Sequence, residues 1–268
     1  MARMGRPHRI DVDGAWHHVM NRGAGRRTVF HTAADGRRFL ELVGEGCERT
    51  GIRVGAYCLM GNHFHLLVGC PDGGLSDFMH RLGSMYTRYI NDRLDSDGPI
   101  FRSRFHSLLV DDDDYLTNAA RYIHRNPLDV RPPVALDQYR WSSYRCYVTN
   151  ADRPPWLSTS EVLAGHRGPG DYRRFVEGDQ GPTGSIAWAI ETALLEADDG
   201  AITTPSLGRS VLLAMLERSG DLASPELEAA AAFPSRDARS DALRRVRKRL
   251  ATHPELGVLA ERALRLAT

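Results

Sequence analysis

Two apolar runs of strand length, residues 52–60 and 63–69, are separated only by Gly61-Asn62. A two-residue connection of these types predicts a β-hairpin, because Gly and Asn accept the unusual backbone angles that such a turn demands. That hairpin fixes two neighbouring antiparallel strands in the first half of the chain, and the segments around it must extend and cover them. Residues 16–20 read as a further strand. Residues 34–50 read as a helix, with Phe39, Leu40, Val43 and Cys47 at helical spacing. A second helix spans 75–94, where Leu75, Phe78, Met79, Leu82, Met85 and Tyr89 mark one apolar face. Residues 105–110 form a fourth strand, and 112–125 a third helix with acidic residues at its start and Asn126-Pro127 at its end. The order β-α-β-β-α-β-α predicts an α+β fold: a ferredoxin-like antiparallel sheet with packed helices.

Past about residue 148 the texture changes. Residues 150–185 are rich in Pro, Gly and Ser and read as a loose connector, and from 186 Ala and Leu return at helical spacing. The expected organisation is a first domain over 1–149, a connector over 150–185 and an all-helical C-terminal domain over 186–268. With 42% hydrophobic and 26% charged residues, and no apolar run long enough for a bilayer, the chain reads as soluble, without membrane contact, and cytoplasmic, close to the nucleoid. Its four cysteines form no CxxC pair, which argues against a cysteine zinc site or a disulfide framework. Net charge is only +1, so charge alone points to no partner.

Three clusters carry chemistry. In Asn62-His63-Phe64-His65-Leu66-Leu67-Val68, residues two apart share a strand face, so His63 and His65 lie together while Phe64, Leu66 and Val68 enter the core. Two adjacent imidazoles suit a divalent ion, although an isolated His-x-His is more often a pair of plain surface histidines. In Arg121-Tyr122-Ile123-His124-Arg125-Asn126-Pro127, Tyr122 and Asn126 are one helical turn apart, with Pro127 disfavouring helical geometry at Asn126. A tyrosine hydroxyl needs a metal or base to act as a nucleophile; a solvated helix tyrosine is the plain alternative. Third, Tyr86-Thr87-Arg88-Tyr89 and Phe101-Arg102-Ser103-Arg104-Phe105-His106 interleave aromatics with arginines, which suits unpaired bases and phosphates as well as it suits core rings with solvated cations.

Taken in order, 57–68, 86–91, 101–107, 121–127 and Trp141-Ser142-Ser143-Tyr144 resemble the motifs of single-tyrosine transposases, in particular the REP-associated tyrosine transposases related to the IS200 group. The resemblance spans roughly residues 6–147. It implies a ferredoxin-like domain that cuts single-stranded DNA beside a hairpin. His63, His65 and Asn126 would hold Mg²⁺ or Mn²⁺. Tyr122 would attack the scissile phosphate to give a 5′-phosphotyrosine and a free 3′-hydroxyl, and transfer would be the reverse reaction with another 3′-hydroxyl. Arg104 falls where the family has an arginine before Phe and is a candidate phosphate contact, with Arg88, Arg102 and Arg121 as further candidate DNA contacts. Two positions depart from the family pattern: Gly61 replaces a common Pro, and Arg102-Ser103-Arg104 replaces Gln-Gly-Arg.

The C-terminal region carries possible helices at 206–216, 224–232, 236–250 and 254–266. Residues 223–250 resemble the helix-turn-helix end of replication initiators such as DnaA. There Arg236, Arg239 and Arg244 would face DNA, within a stretch of seven cations and only two carboxylates, Asp237 and Asp241. A plain helical bundle with a basic face fits equally. Two other functions compete with the nickase and strand transferase. One is a domesticated regulator that binds DNA or RNA hairpins without cutting. The other is a small-molecule phosphohydrolase of the histidine-triad kind, whose third alternating histidine is here Leu67. Monomer and homodimer both stay open, and in a homodimer the tyrosine helix could serve the partner's site rather than its own.

Overall fold

The computed structural model describes residues 13–110, 113–130, 132–149 and 151–178, together with separate positions between 211 and 263. Four strands, β1 (Ala15–Arg22), β2 (Arg53–Met60), β3 (His63–Cys70) and β4 (His106–Val110), form one antiparallel sheet in the order β2-β3-β1-β4. With helix α1 (Ala33–Thr50) between β1 and β2 and α2 (Leu75–Leu94) between β3 and β4, this is the ferredoxin-like arrangement expected from the sequence. A third helix, α3 (Asp113–Arg125), follows β4.

Strand alternation divides the core in two. Val19, Val54, Tyr57, Leu59, Phe64, Leu66 and Val68 face α1 and α2, whose Phe39, Leu42, Val43, Phe78, Leu82 and Tyr86 complete one cluster. Ala56, Cys58, Met60 and Leu67 point the other way and are buried beneath Leu116, Ala119, Ala120 and Ile123 of α3. A one-residue register slip would exchange these faces, so the burial of both pins the pairing.

Helix α1 starts at a capping box: the Thr32 hydroxyl accepts from the Asp35 amide, and Asp35 Oδ2 accepts from the Thr32 amide at 2.8 Å. Asp35 is fully buried because it also pairs with Arg93 near the end of α2 at 2.9 Å and accepts from the Tyr89 hydroxyl. The helix closes at Gly51, whose φ of 71° is the left-handed conformation that a glycine adopts without strain. Gly36 has a different reason. A Cβ there would lie 2.6 Å from the Trp141 ring.

Residues 151–178 differ from the loose connector expected over 150–185. Short helices α4 (Tyr144–Val148), α5 (Ser160–Leu163) and α6 (Pro169–Glu177) pack against α3, and Leu157, Val162, Tyr172 and Val176 are buried. The Leu59 amide donates to Trp141, the Ser143 amide to Tyr57, and the Ser158 amide to Val54, so this segment covers the outer edge of β2. The first compact unit accordingly runs to Gly178, and a second covers Asp179–Thr268. In the second unit the described positions are helical: Leu243 and Val246 are buried, Arg244 and Arg247 exposed, and Arg218 pairs with Glu261. The expected helix over 224–232, with Arg236 and Arg239, lies outside the described residues. No helix among the described residues is long and apolar enough to cross a membrane.

Candidate active site

The α3 face of the sheet becomes polar at one end. His63 pairs across β1 with Arg22, and His65 with Met20. His18, two residues before Met20, faces the same way, as does Cys58, which lies opposite His65 on β2. The His63 and His65 rings stand 5.2 Å apart at nearly right angles. His63 is half-buried, whereas His65 is buried completely because α3 lies over it.

Each ring is held through the same atom. His63 Nδ1 lies 2.7 Å from Asn62 Oδ1, an acceptor only, so this nitrogen carries the proton and donates. His65 Nδ1 lies 2.9 Å from Nε2 of His18. In both rings, Nε2 is then the atom on the far side. A metal-bound histidine characteristically uses one ring nitrogen for the ion and anchors the other.

Tyr122, half-buried on α3, closes the group. Its ring meets the His18 ring at 5.6 Å and the His65 ring at 5.7 Å, both edge to face. One turn on, the helix tightens into a 3₁₀ turn over Asn126–Asp129, as Pro127 requires. The Asn126 side-chain amide donates to the Tyr122 carbonyl at 3.0 Å, which turns its nitrogen toward the helix end and makes Oδ1 the ligand-type atom. Imidazole nitrogens and an amide oxygen are donor types that suit a divalent cation of intermediate hardness. No cluster of three or more His, Cys, Asp or Glu suited to a metal occurs among the described residues.

Residues 11–126, which include both histidines, Tyr122 and Asn126, match the family model described as IS200-like transposase. Over that segment the chain is similar to IS200-like transposases. A REP-associated tyrosine transposase solved with a REP hairpin bound is similar at 16% identity, over 58% of this chain and 92% of that one, with a TM-score of 0.47. No curated protein matches the chain.

Around the histidines and Tyr122, the expected arginines fall in different places. Arg102 and Arg104 are exposed on the loop before β4. That loop docks at the His63 end of the sheet, where the Arg102 amide donates to Arg22, Asn21 donates to the Ser103 carbonyl, and Gly23 bridges Phe101. Arg88 is exposed on α2, in the layer opposite Tyr122. Arg121 is turned inward at 3% exposure, donates to the Gly178 carbonyl at 2.8 Å, and stacks over Phe175. Arg244, in the second unit, is exposed on a helix.

Two histidines were not singled out from the sequence. His18 is one, and its contact with His65 emerges only from the β1–β3 register. The other is His124, fully buried behind Tyr122, where Nδ1 contacts the Tyr172 hydroxyl and Nε2 the Ser143 hydroxyl, both at 2.8 Å. Burial lowers the pKa of His18 to about 4 and that of His124 to about 3, so both rings are neutral at pH 7.

Proposed function

We propose that the transposase domain nicks and rejoins single-stranded DNA at hairpin-bearing repeats, with Tyr122 as nucleophile and Mg²⁺ or Mn²⁺ held by His63, His65 and Asn126. The observation that carries this reading is the contact of the Tyr122 ring with His65 and His18, within a segment that matches the IS200-like family.

A divalent cation held by these side chains would supply positive charge to the phosphate oxygens as negative charge builds on them. The chain's own residues do the rest. The edges of His18 and His65 restrict the Tyr122 ring, and its place on α3 limits the directions from which a phosphate can approach. Tyr122 Oη bonds to phosphorus while the bond to the 3′ oxygen breaks. The tyrosine proton passes to water, and the departing 3′ oxygen takes one up. Rejoining reverses these steps: a 3′-hydroxyl attacks the phosphotyrosine, loses its proton to water, and Tyr122 departs and is reprotonated. Arg102 and Arg104, exposed beside His63, contact the phosphates flanking the cut. Arg121 is left out of the DNA-binding set because its guanidinium is buried against Gly178 and Phe175. In the second unit, Arg244 with Arg236 and Arg239 adds contacts to duplex or hairpin DNA.

The test is cleavage of a labelled hairpin with single-stranded flanks, in Mn²⁺, by the full chain and by Tyr122→Phe. The variant should bind the hairpin as the parent does and cut nothing. Cleavage that survives Tyr122→Phe rejects Tyr122 as the nucleophile. Tight binding with no cutting by the parent on several hairpins would turn the assignment to a non-cutting regulator.

A further inference from the structure

We propose that His18 is a positioning residue for His65, acting as the acceptor that fixes which nitrogen of His65 carries its proton. This inference rests on the metal-site reading above and asks what makes His65 competent as a ligand.

The contact between His18 Nε2 and His65 Nδ1, at 2.9 Å, joins two imidazoles within the sheet, and both residues are at most 1% exposed. One proton lies between the two nitrogens, and its direction decides the chemistry of the far side of His65. If His18 donates, a neutral His65 carries its own proton on Nε2 and has no lone pair there for a cation. If His65 donates, its proton is on Nδ1 and the Nε2 lone pair is available. The first arrangement blocks the ligand, and the second creates it.

Among the described residues, nothing behind His18 forces the blocking arrangement. His18 Nδ1 is buried with no hydrogen-bond partner among the described residues. It is a bare lone pair when His18 donates and an unpaired N–H when His18 accepts, so neither state of His18 is anchored from behind. His63 differs, because Asn62 Oδ1 can only accept and the proton on His63 Nδ1 is therefore fixed. The two histidines thus have unlike supports: an amide oxygen that accepts in every state for His63, and for His65 a ring that accepts when the His65 proton sits on Nδ1. His18 also touches Tyr122 at 5.6 Å, so loss of its ring removes packing from the nucleophile as well as the acceptor.

Mn²⁺ binding to the full chain separates the possibilities, followed through the loss of the free-ion spin-resonance signal without DNA. His18→Leu removes the acceptor, and His18→Gln restores an oxygen that can accept near the place of Nε2. Leu should weaken Mn²⁺ binding roughly 10–100-fold, the usual effect of losing such an outer partner, while Gln stays near the parent. Nitrogen-15 spectra of the metal-free protein should show His65 protonated at Nδ1 in the parent and in Gln, but no fixed tautomer in Leu. Thermal melts confirm that both variants fold. Should Leu bind Mn²⁺ as the parent does, or Gln bind no better than Leu, the proposal is overturned. Parallel His63→Ala and His65→Ala variants guard the premise. If neither reduces Mn²⁺ binding, the metal-site reading fails and takes this inference with it. If both do and His18→Leu does not, only the role of His18 fails.

Discussion

Burial makes His124 a structural group, although it is two residues from Tyr122 and of a catalytic type. Its ring joins α3 to Tyr172 on α6 and to Ser143, whose hydroxyl also accepts from the Tyr57 amide of β2 at 2.8 Å. Removing the ring leaves two buried hydroxyls short of a partner and opens a cavity, so His124→Ala should cost about 2–4 kcal/mol in denaturant unfolding. Acid acts on the same group. The folded pKa values of His124, about 3, and His18, about 4, lie below the value near 6.5 of an unfolded histidine. Below pH 6.5 the unfolded chain takes up protons that the folded chain refuses. Stability present at neutral pH is therefore lost as pH falls toward 4, by roughly 1.4 kcal/mol per pH unit for each histidine. Unfolding in urea at pH 7.0, 5.5 and 4.5 measures this slope, and a flat profile would contradict it. Arg102 and Arg104 make a further prediction at this scale. Their double replacement by Ala should reduce the salt dependence of hairpin binding by about two phosphate contacts. The motif residues were legible because chemistry and spacing are local in His63-Phe64-His65 and in the 121–127 string. His18 was not, since its partner is 47 positions away and only strand pairing brings them together.

Among the elements, α1 and the cover on β2 show where sequence patterns suffice and where they do not. All seven elements of the ferredoxin-like half were legible because hydrophobic period and turn residues agree in each; the hairpin at Gly61-Asn62 and the helix over Leu75–Leu94 stand where the sequence predicts. Asp35 was not read as structural, yet it caps α1 and receives Arg93 from α2. Asp35→Ala should lower stability by about 2–4 kcal/mol, because it removes a cap and leaves Arg93 without its buried partner. Arg93→Ala should cost less, and the reverse order in thermal melts would argue against this account. Residues 151–178 read as loose because they are rich in Pro, Gly and Ser, whereas their fixed structure comes from single buried anchors: Leu157, Val162, Tyr172 and Val176. No periodicity announces such anchors. Backbone bonds to the β2 edge then hold a segment that composition alone marks as loose.

At the scale of the whole molecule, the sheet and its three helices require the cover that follows them. A fragment ending at Gly178 should fold cooperatively and retain Mn²⁺-dependent cutting, since it contains the complete first unit. One ending at residue 149 should aggregate, because it exposes the Val54 end of the β2 edge and the apolar surface of α3 that α5 and α6 cover. Solubility and melting of the two fragments check this, and a soluble, cooperative 1–149 would contradict it. The central claim concerns one atom, Tyr122 Oη. Trapping the reaction of the full chain with a hairpin substrate in Mn²⁺, digesting the adduct with nuclease and protease, and sequencing the peptides by mass spectrometry tests it most directly. The account predicts a nucleotide joined through its 5′ phosphate to the peptide containing Tyr122. A nucleotide found on any other residue, or cleavage that proceeds with no protein adduct, would contradict it.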